Sequence, residues 1–401
     1  MTLDLLRLMD IFDGRDDAAE LMAELLDEQM ACTRASLMSL LATGKDRPVA
    51  DAVLSAYGRL DPVMQARLLA SAEFGDALAT WEEARHKTRD ELERALDRLL
   101  EQIQREDALH RLSHGDVVAW MRDAPDDRVI SPMGDRVAIR ENGAWRLERV
   151  PGLDGLIAVD FDSALARRHE PDSGTLSQPC LEVSADERER IVAKLAESLE
   201  LIDVCEPHFG LMIRSFVRRI IVRKSVEQQD VETVDQNFRV GSESRPQQPG
   251  TIRLLNPQLT QKSFVACMES MLHECVHNVL AAYERGHGKF MDSGVVVRPV
   301  SPWSGNPIPN HSLAHAIIVY YVCHRLFDAI LRSPVDLPAS ERAELERRMG
   351  DFGAGFLIGQ RLAEQFLLDE PPTDDFIAAI DGMQASMREF YASVDATLEV
   401  A

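Results

Sequence analysis

The chain has 401 residues, of which 45% are hydrophobic and only 6% aromatic, a composition typical of globular proteins that bury a sizeable core. Lysine and arginine number 44 against 67 aspartate and glutamate residues, and the formal charge of −23 argues against nucleic acid as a partner because phosphates would be repelled. No window approaches the roughly 20 uninterrupted apolar residues of a membrane span, so we expect no membrane partner.

The N-terminus and the cysteines indicate the compartment. Residues 1–7 are amphipathic and lack the basic flank, apolar stretch and cleavage site of a secretory signal, so we expect a cytoplasmic protein. No C-x-x-C pair occurs, which favours reduced thiols over a disulfide framework or a zinc ribbon. The cysteines are Cys32, Cys180, Cys205, Cys267, Cys275 and Cys323. Any metal ion is therefore expected on histidine and carboxylate ligands.

The chain divides into three successive segments that differ in their pattern of apolar and turn-forming residues. Residues 1–115 have apolar residues at helical spacing with little proline or glycine, which predicts an N-terminal helical region. Residues 116–183 contain short β-prone pieces separated by turn signals, which predicts a small β-containing segment. Residues 184–401 are predicted to form a helical metal-binding catalytic domain. The β-prone pieces are 128–130, 136–139 and 156–159. We expect a mainly α fold with a small β portion (α+β).

The last segment starts with helical periodicity. Ser184 can cap a helix, with Glu187 three residues later, and the periodicity predicts helix to about Lys224. Five positive charges in this stretch form either a solvated basic face or an anion site. They are Arg214, Arg218, Arg219, Arg223 and Lys224. The polar stretch 227–250 predicts a long loop, and 251–256 predicts a strand.

The motif His273-Glu274-Cys275-Val276-His277 carries the clearest chemical signal. A wide apolar face predicts one mostly buried helix from about 263 to 282. At about 100° per residue, His273 and His277 lie about 40° apart on one face, so both imidazoles can reach one divalent ion. Glu269, one turn earlier, could orient a ligand imidazole or compete as a ligand.

A third protein ligand is expected from elsewhere in the chain. Glu284 and His287 follow the motif closely, but the helix is predicted to be ending there, and neither fits the metzincin spacing. His315, on a second apolar helix, is the favoured candidate, and His311, one turn earlier, is its rival. His324 lies on the opposite face of that helix and is set aside.

Three kinds of chemistry fit such a site. In a zinc peptidase, Glu274 would be the general base that activates a metal-bound water. In a non-haem iron oxygenase, three protein ligands would leave three positions for a bidentate 2-oxo acid and dioxygen, although a carboxylate is the usual third ligand. A structural zinc site needs four closed ligands, and the sequence offers no thiolate pair to complete one.

A family resemblance bears on this choice. The stretch from Glu269 to His277, then Ser301-Pro302-Trp303, then Leu313-Ala314-His315-Ala316 with an apolar run after it, resembles the HExxH-motif peptide-modification proteins. These proteins are found beside ribosomally made, post-translationally modified peptides. The resemblance covers about residues 200–330. It implies a 2-oxoglutarate- and Fe(II)-dependent enzyme that uses dioxygen to hydroxylate a β-carbon in a precursor peptide.

The chain departs from the family where members often carry arginine. This chain has Ser304 just after the Ser-Pro-Trp element and Ile308 between the following prolines. If those arginines bind the carboxylate of the co-substrate, then Arg298, or Arg219 or Arg223 of the basic cluster, is expected to take their place.

The leading prediction is a peptide β-hydroxylase that uses Fe(II), 2-oxoglutarate and dioxygen, with a precursor peptide as its partner. Its ligands are predicted to be His273, His277 and His315, on a zincin-like helix. A zinc metallopeptidase with Glu274 as general base is the alternative. A non-catalytic, peptide-binding relative is the second alternative.

Overall fold

The computed structural model describes residues 5–82, 88–124, 126–170, 179–225, 241–260, 262–291, 298–367 and 372–400, with side chains up to residue 393. The helices in this part are α1 (Leu5–Asp13), α2 (Ala18–Thr43), α3 (Pro48–Arg59), α4 (Pro62–Leu69), α5 (Ala72–Glu82), α6 (Arg89–Ser113), α7 (Ala119–Arg122), α8 (Ala164–Arg167), α9 (Ala185–Cys205), α10 (Pro207–Phe216), α11 (Phe264–His287), α12 (Asn310–Arg332), α13 (Ala339–Ala354) and α14 (Asp374–Val400), with a short 3-10 helix at Leu362–Gln365. The strands are β1 (Arg128–Ile130), β2 (Arg136–Glu141), β3 (Ala144–Arg149), β4 (Gly152–Leu153), β5 (Ile157–Asp160), β6 (Arg219–Arg223), β7 (Gly241–Ser244) and β8 (Thr251–Leu255). The predicted mainly α fold with a small β portion is confirmed.

The chain forms two compact units, each built from separate stretches. Unit 1 comprises Met1–Leu25, Glu197–Ser215 and Phe264–Ala401, and unit 2 comprises Leu26–Ala196 and Phe216–Ser263. The predicted division into 1–115, 116–183 and 184–401 is continuous in sequence, and it stays a prediction.

Unit 2 combines most of α2 and the helices from α3 to α8 with two sheets. β1, β2 and β3 form an antiparallel sheet. The second sheet has the order β4-β5-β6-β8-β7, in which β5, β6 and β8 are parallel and the outer strands are antiparallel. The predicted β-prone pieces and the strand at 251–256 are confirmed. Of the predicted loop at 227–250, residues 227–240 lie outside the described residues, and Gly241–Ser244 forms β7.

The predicted helix from Ser184 to about Lys224 is correct only in its first part. α9 begins after Ser184, whose backbone N–H donates to Glu187, as the capping pattern predicts. Beyond α10, however, residues Arg219–Arg223 form strand β6. The β-branched run Ile220-Ile221-Val222 suits a strand with both faces covered, and this outweighs the apparent helical spacing.

Unit 1 is helical and contains the histidine motif. α11 packs on α12 and α13, and α12 packs on α13 and α14. α11 and α12 run antiparallel, since Glu284 near the end of α11 meets His311 at the start of α12, while His273 lies beside Tyr320 further along. α12 is long and apolar enough to cross a membrane by composition alone, but 72% of its apolar window is buried inside the protein, as in a core helix.

Candidate metal centre

The centre forms along one face of α11. The helix continues to His287, beyond the predicted end near residue 282. At about 100° per residue, Glu284 then lies within about 20° of both His273 and His277 around the helix axis. One face of α11 therefore presents two imidazoles and a carboxylate to α12.

Two histidines of α12 meet the carboxylate of Glu284. Nε2 of His311 lies 2.8 Å from Oε1 and 3.0 Å from Oε2 of Glu284. Nε2 of His315 lies 3.4 Å from Oε2 of the same carboxylate. One ligand atom from each of the three residues lies within 4.8 Å of the other two, so this group could hold a metal ion.

The carboxylate of Glu284 is held in place and ionised. The backbone N–H of Phe290 donates to Oε1 at 3.1 Å. Burial by itself would raise the pKa of this carboxyl, but the contacts with His311 and the neighbouring His315 outweigh burial and lower the pKa to about 2. The group is therefore an anion at neutral pH, the form in which a carboxylate binds a metal ion.

The environment of His315 fits a divalent cation. Its Nε2 atom is buried and, among the described residues, makes no hydrogen bond. Burial and the neighbouring His311 lower its pKa, against the opposing effect of Glu284, so the imidazole is neutral and offers a lone pair. Two ligand atoms that each lie about 2.1 Å from one metal ion are about 3 to 4 Å from each other. The nitrogen-to-oxygen distances from His311 and His315 to Glu284, 2.8 and 3.4 Å, are close to this range.

His277 lies next to this group without belonging to it. Its Nδ1 atom is 3.1 Å from Nδ1 of His315, and the two rings are nearly parallel. Burial, followed by the neighbouring imidazoles, lowers the pKa of His277 well below its ordinary value. His273 packs edge-on against His277, with 5.0 Å between ring centroids. His277 thus lies between His273 and His315, and the role of these three histidines as metal ligands stays a prediction.

The other predicted members of this region lie on α11 and α12. Glu274, the predicted catalytic residue, is only 3% exposed. Glu269 forms an ion pair with Arg348 of α13. His324 is buried, and its Nε2 lies 3.1 Å from the hydroxyl of Tyr391, in keeping with setting it aside as a ligand.

The three arginines predicted to bind the co-substrate are in different surroundings. Arg298 is exposed and belongs to unit 1, as the metal group does. Arg219 and Arg223 belong to unit 2 and are buried on β6. Arg219 pairs with Glu73 and Asp160, and Arg223 donates to backbone carbonyls of the α8 region. A co-substrate role for each of the three stays a prediction.

Glu284 is the member of the group that we did not predict as a ligand. The signal was its position seven residues after His277, since seven residues make two helical turns and return to the same face. The sequence predicts that the helix ends near residue 282, just before Arg285-Gly286, and this removes Glu284 from that face. Tertiary packing on α12 carries the helix past the glycine.

Comparison with known proteins adds no family assignment. The sequence matches no protein-family model and no curated protein. The resemblance to the HExxH-motif proteins therefore stays a prediction.

Proposed function

We propose that this protein is a non-haem Fe(II), 2-oxoglutarate-dependent oxygenase that hydroxylates a β-carbon of a residue in a ribosomally made precursor peptide. The observation that supports the metal chemistry is the group of two imidazoles and one carboxylate from His311, His315 and Glu284. Two histidines and one carboxylate with open positions are the ligand set typical of non-haem Fe(II) oxygenases. The peptide substrate and the β-carbon come from the family resemblance.

This ligand set differs from the three histidines predicted from the motif. It contains the carboxylate that is the usual third ligand of such an oxygenase and that the predicted set lacks. His273, His277 and His315 would supply no carboxylate, whereas Glu284 supplies one beside two histidines. Three protein ligands leave room for the two oxygens of 2-oxoglutarate and for dioxygen. Fe(II) held by Glu284, His311 and His315 would supply the oxidation in which dioxygen gives one oxygen atom to a substrate C–H bond and the other to the succinate formed as 2-oxoglutarate loses carbon dioxide.

The residues around the group would orient the ligands and limit water. The Phe290 ring lies edge-on to His315, with 5.9 Å between centroids, and it packs on Phe376 at 6.0 Å. Because the same residue donates its N–H to Glu284, one position orients a ligand and supplies an apolar wall. In this proposal, exposed Arg298 binds the distal carboxylate of 2-oxoglutarate.

A zincin-like peptidase is the second candidate, and the pairing of the motif histidines favours it. Their ring centroids lie 5.0 Å apart on one face of α11. Glu274 would be the general base, but it is only 3% exposed. Ten residues of helix, about 15 Å of rise, also separate Glu274 from Glu284, so Glu274 cannot serve as base at a metal held by Glu284.

Anaerobic reconstitution with Fe(II) and 2-oxoglutarate tests the proposal. We expect a visible charge-transfer band from the chelated 2-oxo acid, lost in His311→Ala and kept in His273→Ala. A candidate precursor peptide should then gain one oxygen atom. Tightly bound zinc without such a band, together with peptide cleavage that Glu274→Gln abolishes, would support the peptidase. A band without any product would support the non-catalytic relative.

A further inference from the structure

A groove lined mainly by apolar side chains opens on unit 1, between the end of α9, the start of α11 and the connection from α12 to α13. Its volume is about 380 Å³, a size that accommodates one or two large side chains of a ligand. All of the residues that line it belong to unit 1. The apolar ones are Leu201, Val204, Phe264, Val335 and Leu337.

The apolar side chains of this groove are partly open to solvent. Val204 is 64% exposed, although its side chain is aliphatic. Phe264, Val335 and Leu337 are half-buried. A single exposed apolar side chain is ordinary, but four that converge from three parts of the chain form a patch. Covering this patch with another apolar group would therefore be favourable.

Hydrogen bonds hold the walls of the groove in place. The hydroxyl of Ser198 donates to the carbonyl of Phe264 at 3.4 Å and so links α9 to the start of α11. In the connection from α12 to α13, the hydroxyl of Ser333 donates to the carbonyl of Ile330 at 2.7 Å and accepts from the N–H of Val335 at 3.4 Å. A ligand therefore meets a groove that is already formed, which lowers the entropic cost of binding.

Three carboxylates accompany the apolar side chains. Glu197 and Glu200 are exposed on α9, and Glu341 is half-buried in the first turn of α13. Leu201 and Val204 follow Glu197 by four and seven residues, so charge and apolar surface share one face of α9. Within the part of the chain that the structure describes, none of the three carboxylates forms an ion pair.

These three carboxylates do not converge on one ion. Among the described residues, Glu284, His311 and His315 form the only group of three such side chains with ligand atoms within 4.8 Å of one another. The groove therefore suits several separate positive charges around an apolar group. A second copy of this chain carries a formal charge of −23 and would be repelled, as nucleic acid would be.

We propose that this groove binds a basic peptide segment of another molecule. One large apolar side chain of the peptide enters the groove, and lysine or arginine residues on either side pair with Glu197, Glu200 and Glu341. None of the groove residues belongs to the metal group, so the inference does not rest on the proposed oxygenase. Because exposed ion pairs are weak and screened by salt, the apolar contact and the charges must act together.

Fluorescence anisotropy of a labelled peptide tests the proposal on the full-length protein. The probe has one leucine with two lysines on each side, and two reference peptides have serine for the leucine or glutamate for the lysines. We expect the probe to bind, and to bind less tightly as salt is added. The serine peptide should bind about 10- to 100-fold more weakly, because it buries no leucine side chain. The glutamate peptide should not bind.

Variants of the groove locate the binding. The triple variant Glu197→Gln, Glu200→Gln, Glu341→Gln should bind the probe about 10-fold more weakly, since each exposed ion pair contributes roughly 2- to 5-fold. Val204→Ser should also weaken binding, and because this position is 64% exposed the variant should fold normally. Thermal unfolding of each variant checks the fold.

A matched control separates the groove from the negative charge of the whole chain. The triple variant Glu20→Gln, Glu346→Gln, Glu389→Gln loses the same three charges from exposed positions of unit 1 that do not line the groove. It should bind the probe as the unchanged protein does.

Four results would overturn the inference. The first is no binding of the probe at low salt. The second is equal weakening in the two triple variants, which would mean that the probe responds to net charge alone. The third is equal affinity for the leucine and serine peptides, which would leave the apolar side chains without a role. The fourth is a dimer in analytical ultracentrifugation that dissociates in Val204→Ser, which would make a second copy the occupant.

Discussion

Nε2 of His311 lies 2.8 Å from Oε1 of Glu284, although 27 residues separate the two in the chain. The contact exists because α11 and α12 run antiparallel, which brings the last turn of one against the first turn of the other. Glu284 thereby becomes the carboxylate that two histidines of α12 share. We therefore expect a metal site where α11 ends and α12 begins, away from Glu274.

Replacing Glu284 should remove the metal site while leaving the helix intact. Glu284→Gln keeps the size of the side chain but removes its charge, and we expect Fe(II) affinity to fall by more than about 100-fold, the upper range for residues that only orient a ligand. Equilibrium dialysis measures this. Glu274→Gln, on the same helix, is the matched control and should bind Fe(II) normally. Equal losses in both variants would contradict the Glu284 centre.

Arg219 is expected to matter for stability. It is 1% exposed and pairs with both Glu73 and Asp160. Arg219→Met would leave the buried carboxylate of Asp160 and the half-buried carboxylate of Glu73 without their partner, at a cost of about 3–5 kcal/mol in the free energy of unfolding, measured in urea. The triple variant with Glu73→Gln and Asp160→Asn should recover much of that loss.

Replacing Arg298 tests the proposed binding of 2-oxoglutarate, and in contrast to Arg219 it should not affect stability. Because its side chain is exposed, Arg298→Gln should leave the unfolding midpoint unchanged. If Arg298 binds 2-oxoglutarate, the variant needs more of it to reach half-maximal product. If the variant needs no more 2-oxoglutarate than the unchanged protein, Arg298 does not bind the co-substrate.

Buried His324 should make the protein less stable in mild acid. Burial, with a smaller contribution from Arg332, lowers the pKa of His324 from 6.5 to about 4. Between these pH values the unfolded chain binds a proton that the folded chain does not, so stability falls as the pH drops. From pH 7 to pH 5, His324 alone should cost about 2 kcal/mol.

His324→Leu isolates this contribution. As the pH falls from 7 to 5, the free energy of unfolding of this variant should rise by about 2 kcal/mol relative to that of the unchanged protein. At pH 7 the variant loses the contact with the Tyr391 hydroxyl, 3.1 Å from Nε2, and the ring contacts with Phe390 and Tyr391. A difference that is constant with pH would mean that folding does not lower the pKa of His324.

The packing of Trp303 near the end of α13 can be tested with two glycines. A Cβ added to Gly355 would collide with the indole ring of Trp303, whose Nε1 donates to Phe352 at 2.7 Å. We expect Gly355→Ala to destabilise the protein by about 1–3 kcal/mol, because the ring must shift. Gly350→Ala, on exposed α13 where a Cβ would meet no described atom within 4 Å, should stabilise it by about 0.5–1 kcal/mol. Thermal unfolding of both variants decides.

The sequence predicted helices and strands correctly where the hydrophobic period and the length of the segment indicated the same kind of element. The N-terminal helices, the strands at 128–130 and 136–141 and the long apolar helices α11 and α12 follow from spacing, turn residues and length. Strand β6 was misassigned because a short apolar run with arginines on both sides fits either period. Only its parallel pairing with β5 and β8 resolves the ambiguity.

The sequence by itself determined that histidines and carboxylates stand one or two turns apart on two apolar helices. It determined neither where α11 ends nor which nitrogen faces which oxygen. Those depend on the antiparallel packing of α11 on α12, which extends the helix past Gly286 and brings Glu284 to His311 and His315. Helical period is a property of neighbours in sequence, whereas a ligand set depends on distances between residues far apart in the chain, and packing alone sets those distances.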